Sequence, residues 1–134
     1  MKKIKTENEI DFLILGVNSH VKSYKLCWEI NKKLQTNFIK KENHRHPENN
    51  KITFNRFFYK DEKNGTNYNL ISNRSELGYL DLNNKSVNFY LIVDGGIYKS
   101  KNIIEKLNQI DDVLLVFELN LKQIKSITPF LIND

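Results

Sequence analysis

The sequence contains no alanine, one cysteine and only three arginines, and each shortage narrows what the chain can be. A lone thiol, Cys27, can close no internal disulfide, which suits a reducing compartment. Arginine is the better side chain for bidentate phosphate and guanine contacts, so a chain with three of them is unlike a dedicated DNA reader. Apolar runs such as Val113 to Phe117 fall far short of the roughly 20 residues that a membrane span requires. The segment from Met1 to Ile10 is charged throughout and has no apolar stretch before Phe12, so neither a signal peptide nor a membrane anchor is expected and the predicted location is cytoplasmic.

What is present is globular in kind. The 134 residues are 40% hydrophobic and 28% charged with 5 Gly and 2 Pro, a balance that is neither fibrous nor disordered and that fits one domain with a packed core. A net charge of +5 invites a nucleic-acid reading. The excess is almost all lysine, however: 18 Lys and 19 Asn with no Ala is the skew that AT-rich codons produce, so the charge weighs little.

Hydrophobic periodicity divides the chain into elements. Ile10 to Val17 reads as a strand buried on both faces. Asn18 or Ser19 can cap a helix from about His20 to Gln35, with Val21, Tyr24, Cys27, Trp28 and Leu34 at helical spacing. Lys40 to Lys51 is polar, aperiodic and contains Pro47, the pattern of an exposed loop. From Ile52 the period changes to that of strands, and a hairpin is expected around Asn64-Gly65. Arg74 to Asn84 is irregular, and Val87 to Val93 makes another strand. Ser100 can cap a second helix with Ile103, Ile104, Leu107 and Ile110 on one stripe. A further buried strand over Val113 to Leu119 and a short tail helix over Lys122 to Ile127 complete the order βαβββαβα. These elements predict a single α+β domain over residues 1–134, with residues 1–9 as a flexible tail. Its mostly antiparallel sheet carries two crossover helices on one face, a variant of the ferredoxin-like split β-α-β arrangement.

Several of these segments resemble the IPExxxVDY family of small bacterial proteins. The resemblance rests on residues 15–22 (LGVNSHVK), residues 23–31 (SYKLCWEIN), residues 70–80 (LISNRSELGYL) and residues 116–119 (VFEL). At the position of the name-giving motif the chain reads Asp81-Leu82-Asn83-Asn84-Lys85-Ser86-Val87-Asn88-Phe89, in which only Val87 matches. Asn88 there has the size of aspartate without its charge, and Phe89 has the ring without the hydroxyl. The family implies no activity.

Candidate chemistry is sparse. His44 and His46 form a His-x-His pair, but without a third and fourth ligand they read as loop histidines and no metal is expected. Cys27 and His20 lie seven residues apart, roughly 10 Å along a helix and beyond hydrogen-bond reach, so Cys27 reads as a small buried hydrophobe. Gly95, Gly96 and Ser100 form a strand-to-helix turn that can receive an anion, yet they match no phosphate-binding fingerprint, and a plain turn is favoured. Phe54, Arg56 and Phe58 alternate with Phe57 and Tyr59, and with Tyr68 they offer either core packing or a nucleic-acid stacking platform. Asn73, Arg74, Ser75 and Glu76 are the foremost candidates for a functional contact, with Arg74 either pairing within a turn or meeting an anion or partner. No nucleophile, base and stabiliser assemble, and no cofactor is expected. The sequence therefore favours a non-enzymatic protein-interaction or regulatory module whose partner is another protein or a second copy. A nucleic-acid-binding domain ranks second, and an enzyme or small-ligand-binding domain last.

Overall fold

The computed structural model describes residues 12–132, so the tail expected over residues 1–9 lies outside the described residues. In chain order the elements are β1 (Phe12–Ser19), α1 (Ser23–Leu34), β2 (Ile39–Arg45), β3 (Thr53–Asp61), β4 (Thr66–Ser72), β5 (Arg74–Ser75), β6 (Gly78–Tyr79), β7 (Phe89–Asp94), α2 (Ser100–Asn108) and β8 (Val113–Glu118). Single turns of 3-10 helix occupy Leu82–Asn84 and Thr128–Phe130. Six strands form one sheet in the order β2-β3-β4-β7-β1-β8, every neighbouring pair antiparallel, and β5 and β6 make a separate small ribbon. The fold is α+β.

Strand alternation decides which side chains meet which layer. Leu13, Leu15 and Val17 of β1 share a core with Leu26 and Ile30 of α1 and Ile103 and Leu107 of α2, so both helices lie on one face of the sheet. Ile14 of β1 points the other way, into a second core with Ile71, Tyr90 and Ile92. Among the described residues no α-helix lies over that second face. It is covered by Leu80 and Val87 from the segment before β7 and by Leu119, Ile124, Ile127 and Phe130 from the chain beyond β8. The continuous apolar run of β1 follows from this arrangement, since a central strand covered on both faces has no polar side.

Gly16 is fixed by its neighbour across the sheet. It pairs with Phe117 of β8, whose ring lies over the glycine so closely that a Cβ there would come within 2.3 Å of Phe117 Cζ. Only a residue without a side chain admits the ring.

Four expectations are corrected. The polar stretch from Lys40 is β2 as far as Arg45, paired with β3 from Ile39↔Phe58 to Arg45↔Thr53. Almost every residue of β2 is exposed because it is an edge strand, so it carries no apolar alternation to read. The tail helix over Lys122 to Ile127 does not form; those residues make turns, and the spacing of Ile124 and Ile127 serves to lay them over the second core. Ser19 does not cap α1, because its backbone N–H is held by Asn88 Oδ1 at 2.8 Å and it remains in β1. Ser100 is the first residue of α2 rather than its cap, and neither helix has a side-chain cap.

Where α1 meets the start of β8, Glu29 is half-buried with Oε2 covered and without a hydrogen-bond partner. Burial and the neighbouring Asp112 carboxyl raise its pKa, opposed by Lys25, which also pairs with Asp112 at 3.4 Å. A carboxyl raised in the folded state favours folding fully below its unfolded pKa, and that contribution is lost as pH rises through the folded value. Thermal melts from pH 4 to pH 8 are therefore expected to show a Glu29-dependent fall in stability with rising pH, which Glu29→Gln removes while raising the melting temperature at pH 7.

Candidate functional site

Asn73 directly follows β4, and its surroundings explain the irregular segment after it. The side chain is fully buried. Its Nδ2 donates to the carbonyls of Asn84 (3.0 Å) and Val87 (2.9 Å), and its Oδ1 accepts the N–H of Asp81 at 2.8 Å. Its backbone N–H reaches Asn88 O at 2.9 Å and its carbonyl accepts from Leu80 N at 2.8 Å. One residue thus ties together both ends of the excursion between β4 and β7. An asparagine suits this position because its amide carries the same donor and acceptor as a peptide group.

Asp81 forms the next tier. Buried beside Asn73, its carboxylate accepts from Asn83 N (3.1 Å), Asn84 Nδ2 (2.9 Å) and the Tyr90 hydroxyl (2.8 Å). Burial first and the Asp81 carboxylate second push the Tyr90 phenol far above its ordinary value, so it stays a proton donor at any physiological pH. Beyond it, Asn88 Oδ1 holds the Ser19 N–H and Asn18 Oδ1 holds the Asn88 N–H, extending the contact of β1 with the chain before β7. Asn88 supplies only a neutral acceptor, a duty for which a carboxylate charge is unnecessary.

On this base stands the hairpin of β5 and β6, in which Arg74 pairs with Tyr79 and Ser75 with Gly78. Ser75 Oγ donates to Gly78 O and accepts from Leu77 N, closing the turn. Arg74 and Glu76 are exposed, and their heads have no partner among the described residues. They line an open cleft of about 430 Å³ with Lys51, Thr53, Asn43 and Asn55. Of the four candidates Asn73–Glu76, the first is structural, Ser75 shapes the turn, and Arg74 and Glu76 face solvent.

Gly95 and Gly96 lie near the other end of the sheet from this cleft, since Asp94 pairs with Phe12 while Ser72 pairs with Phe89. Their positive φ values of 74° and 56° accompany a close approach of two turns, and a Cβ on Gly96 would sit 1.9 Å from Asn64 O. Ile97 N donates to Asn64 O (3.1 Å), and Thr66 Oγ1 donates to Ile97 O (2.8 Å). The glycine pair is accounted for by this backbone packing.

Cys27 is buried against Phe38, and burial pushes its thiol up to about 11, which leaves it protonated and unreactive. His20 is exposed, and His44 Nε2 lies 2.8 Å from Pro129 O. No group of three metal-ligating side chains occurs among the described residues. Phe54, Phe57 and Tyr68 are buried, so stacking a base on those rings would require opening the core. Arg56 is buried with its Nε bonded to Asn69 Oδ1 at 2.8 Å.

Sequence reasoning missed the asymmetry between the two sheet edges. β2 carries Lys40, Lys41, Glu42 and Arg45 and is interrupted by a bulge between Lys41 and His44. β8, expected as a buried strand, is the other edge: it has a bulge at Leu114, no charge from Val113 to Phe117, and Leu114 and Leu115 59% and 51% exposed. A signal was available in the run VLLVF, which is too apolar for a guarded edge. No family model matches the chain, and no curated protein matches it either. No helix among the described residues is long and apolar enough to cross a membrane.

Replacing Asn73 by alanine leaves the Asp81 N–H and the carbonyls of Asn84 and Val87 without partners, each costing about 1–3 kcal/mol. With partial rescue by water, Asn73→Ala is expected to lower unfolding free energy by about 2–4 kcal/mol in urea titrations. Arg74→Ala, one residue away and exposed, is expected to change it by less than about 0.5 kcal/mol.

Proposed function

We propose that the chain is a non-enzymatic interaction module that self-associates by joining the β8 strands of two copies edge to edge. The observation that carries this reading is the contrast between a charged β2 edge and an apolar β8 edge; each has a bulge, so charge is what distinguishes them. Natural sheets blunt their free edges with lysines, bulges and charges, and an edge left bare is a template for another strand.

The backbone pattern selects a register. Leu119 donates to Ile14 O, so by alternation Phe117 and Leu115 direct their peptide groups to β1 while Val116 and Glu118 direct theirs outward. A twofold axis through Val116 then pairs it with its copy, sets Leu115 beside Phe117 of the second copy, and sets Glu118 opposite Leu114. No carboxylate meets another, so charge does not oppose the pairing.

The fold reading that accompanies this proposal is the ferredoxin-like one. β7 and β8 run parallel with β1 between them and are linked through α2, as in a split β-α-β unit, with β4 beside β7 and the β2–β3 hairpin as an addition. Membership of the IPExxxVDY family, supported by residues 15–31 and 70–80, belongs to the same proposal, as do a bacterial origin and a cytoplasmic location.

Sedimentation velocity at about 100 µM, where an interface of micromolar affinity is filled, provides the test. The wild type is expected to sediment as a dimer, and Leu115→Lys as a monomer with unchanged circular dichroism. A wild-type monomer, or a dimer indifferent to Leu115→Lys, overturns the reading.

A further inference from the structure

The cleft beside the β5–β6 hairpin belongs to neither core, and its lining is unlike that of an ordinary surface depression. Arg74 and Lys51 bring two cations against the single carboxylate of Glu76, and the charged heads of all three are without partners among the described residues. Thr53 adds a hydroxyl that accepts from Asn43 Nδ2 and so keeps its own proton free to donate. Asn55, anchored by its Nδ2 to Ser23 Oγ at 3.0 Å, presents its amide along the wall. The volume of about 430 Å³ lies within the range of small-ligand sites.

Arg74 stands on a fixed support. It is bonded directly to Asn73, whose side chain and backbone make five hydrogen bonds that lock the base of the hairpin. Ser75 locks its tip. An arginine on such a support loses little backbone freedom when it engages a ligand, which lowers the entropic cost of binding.

We propose that this cleft binds a small phosphorylated ligand, with Arg74 and Lys51 as the phosphoryl-binding pair. A carboxylate would be satisfied by the arginine fork alone and would leave Lys51 unmatched. A phosphoryl group has three acceptor oxygens and nearly two negative charges at neutral pH, so it engages the fork and the point charge together while Thr53 donates to the remaining oxygen. Glu76 at the rim is then placed for an amino or hydroxyl group of the same ligand. This site is at the hairpin and is independent of the β8 edge.

The experiment is a titration of the full chain, labelled with nitrogen-15, with O-phospho-L-serine, inorganic phosphate and L-serine at low ionic strength. Saturable shifts are expected for both phosphorylated probes at the amides of Lys51, Thr53 and residues 74–77, and none with L-serine. Arg74→Gln is expected to weaken binding at least about tenfold, since a charge-assisted bidentate contact is lost. Lys101→Gln, an exposed change on α2, is expected to leave it unaltered. Both replaced side chains are solvent-exposed, so loss of folding does not enter the comparison. Absence of saturation by about 10 mM phosphoserine, shifts of equal size with L-serine, or an Arg74→Gln variant that binds as well as wild type overturns the proposal.

Discussion

The second face of the sheet depends on the buried amide of Asn73. A six-stranded antiparallel sheet with both helices on one side leaves its opposite face to be covered by chain without regular structure, and such chain brings peptide groups that need partners. Asn73 answers that need by standing in for a neighbouring strand, bonding residues 80, 81, 84, 87 and 88 at once. Leu80 and Val87 can then be pressed against Ile14, Tyr90 and Ile92 without leaving their own peptide groups unsatisfied. Asp81 extends the arrangement to Tyr90, whose hydroxyl would otherwise be buried within the sheet without an acceptor.

Other features follow from this anchor. The hairpin carrying Arg74 grows from Asn73 and inherits its fixed position, so one arrangement stabilises the fold and presents an exposed guanidinium to a polar cleft. At the far edge of the sheet, Gly16 lets Phe117 lie flat over β1, while Leu114 and Leu115 remain exposed. The proposed self-association at β8 and the proposed anion recognition at Arg74 concern separate places on the molecule, the edge beside β1 and the cleft lined by β3.

What could be read in the sequence was whatever carried an apolar period. β1, β3, β4, β7 and β8 were legible from their runs, as were α1 and α2 from their stripes, and Asn64-Gly65 lies in the turn expected of it. β2 was illegible because an exposed edge strand of Lys, Glu, Asn and Arg has no buried side to imprint a pattern. The tail residues Ile124 and Ile127 have helical spacing, yet they use it to seat two turns on a preformed apolar surface. Asparagine abundance, read as codon bias, conceals side chains that act as backbone substitutes: Asn73, Asn88 and Asn18, and Asn31, which takes the Phe38 N–H at 2.7 Å and the Thr36 hydroxyl at 3.0 Å. Single-residue identity signals none of this, since each role depends on partners up to 70 positions away. Within the candidate segment Asn73–Glu76 the division of labour, one residue buried and the next exposed, appears only in three dimensions.

Asn73 makes the segment over the second face part of the folded core rather than a loop laid upon it. Native-state hydrogen exchange tests this most directly. The amides of Asn73, Leu80 and Asp81 should be protected to nearly the same degree as those of Leu91 and Ile92 in β7, and should open with them in a single cooperative step. Exchange of Leu80 and Asp81 at rates typical of an exposed loop, while Leu91 and Ile92 remain protected, would contradict the claim.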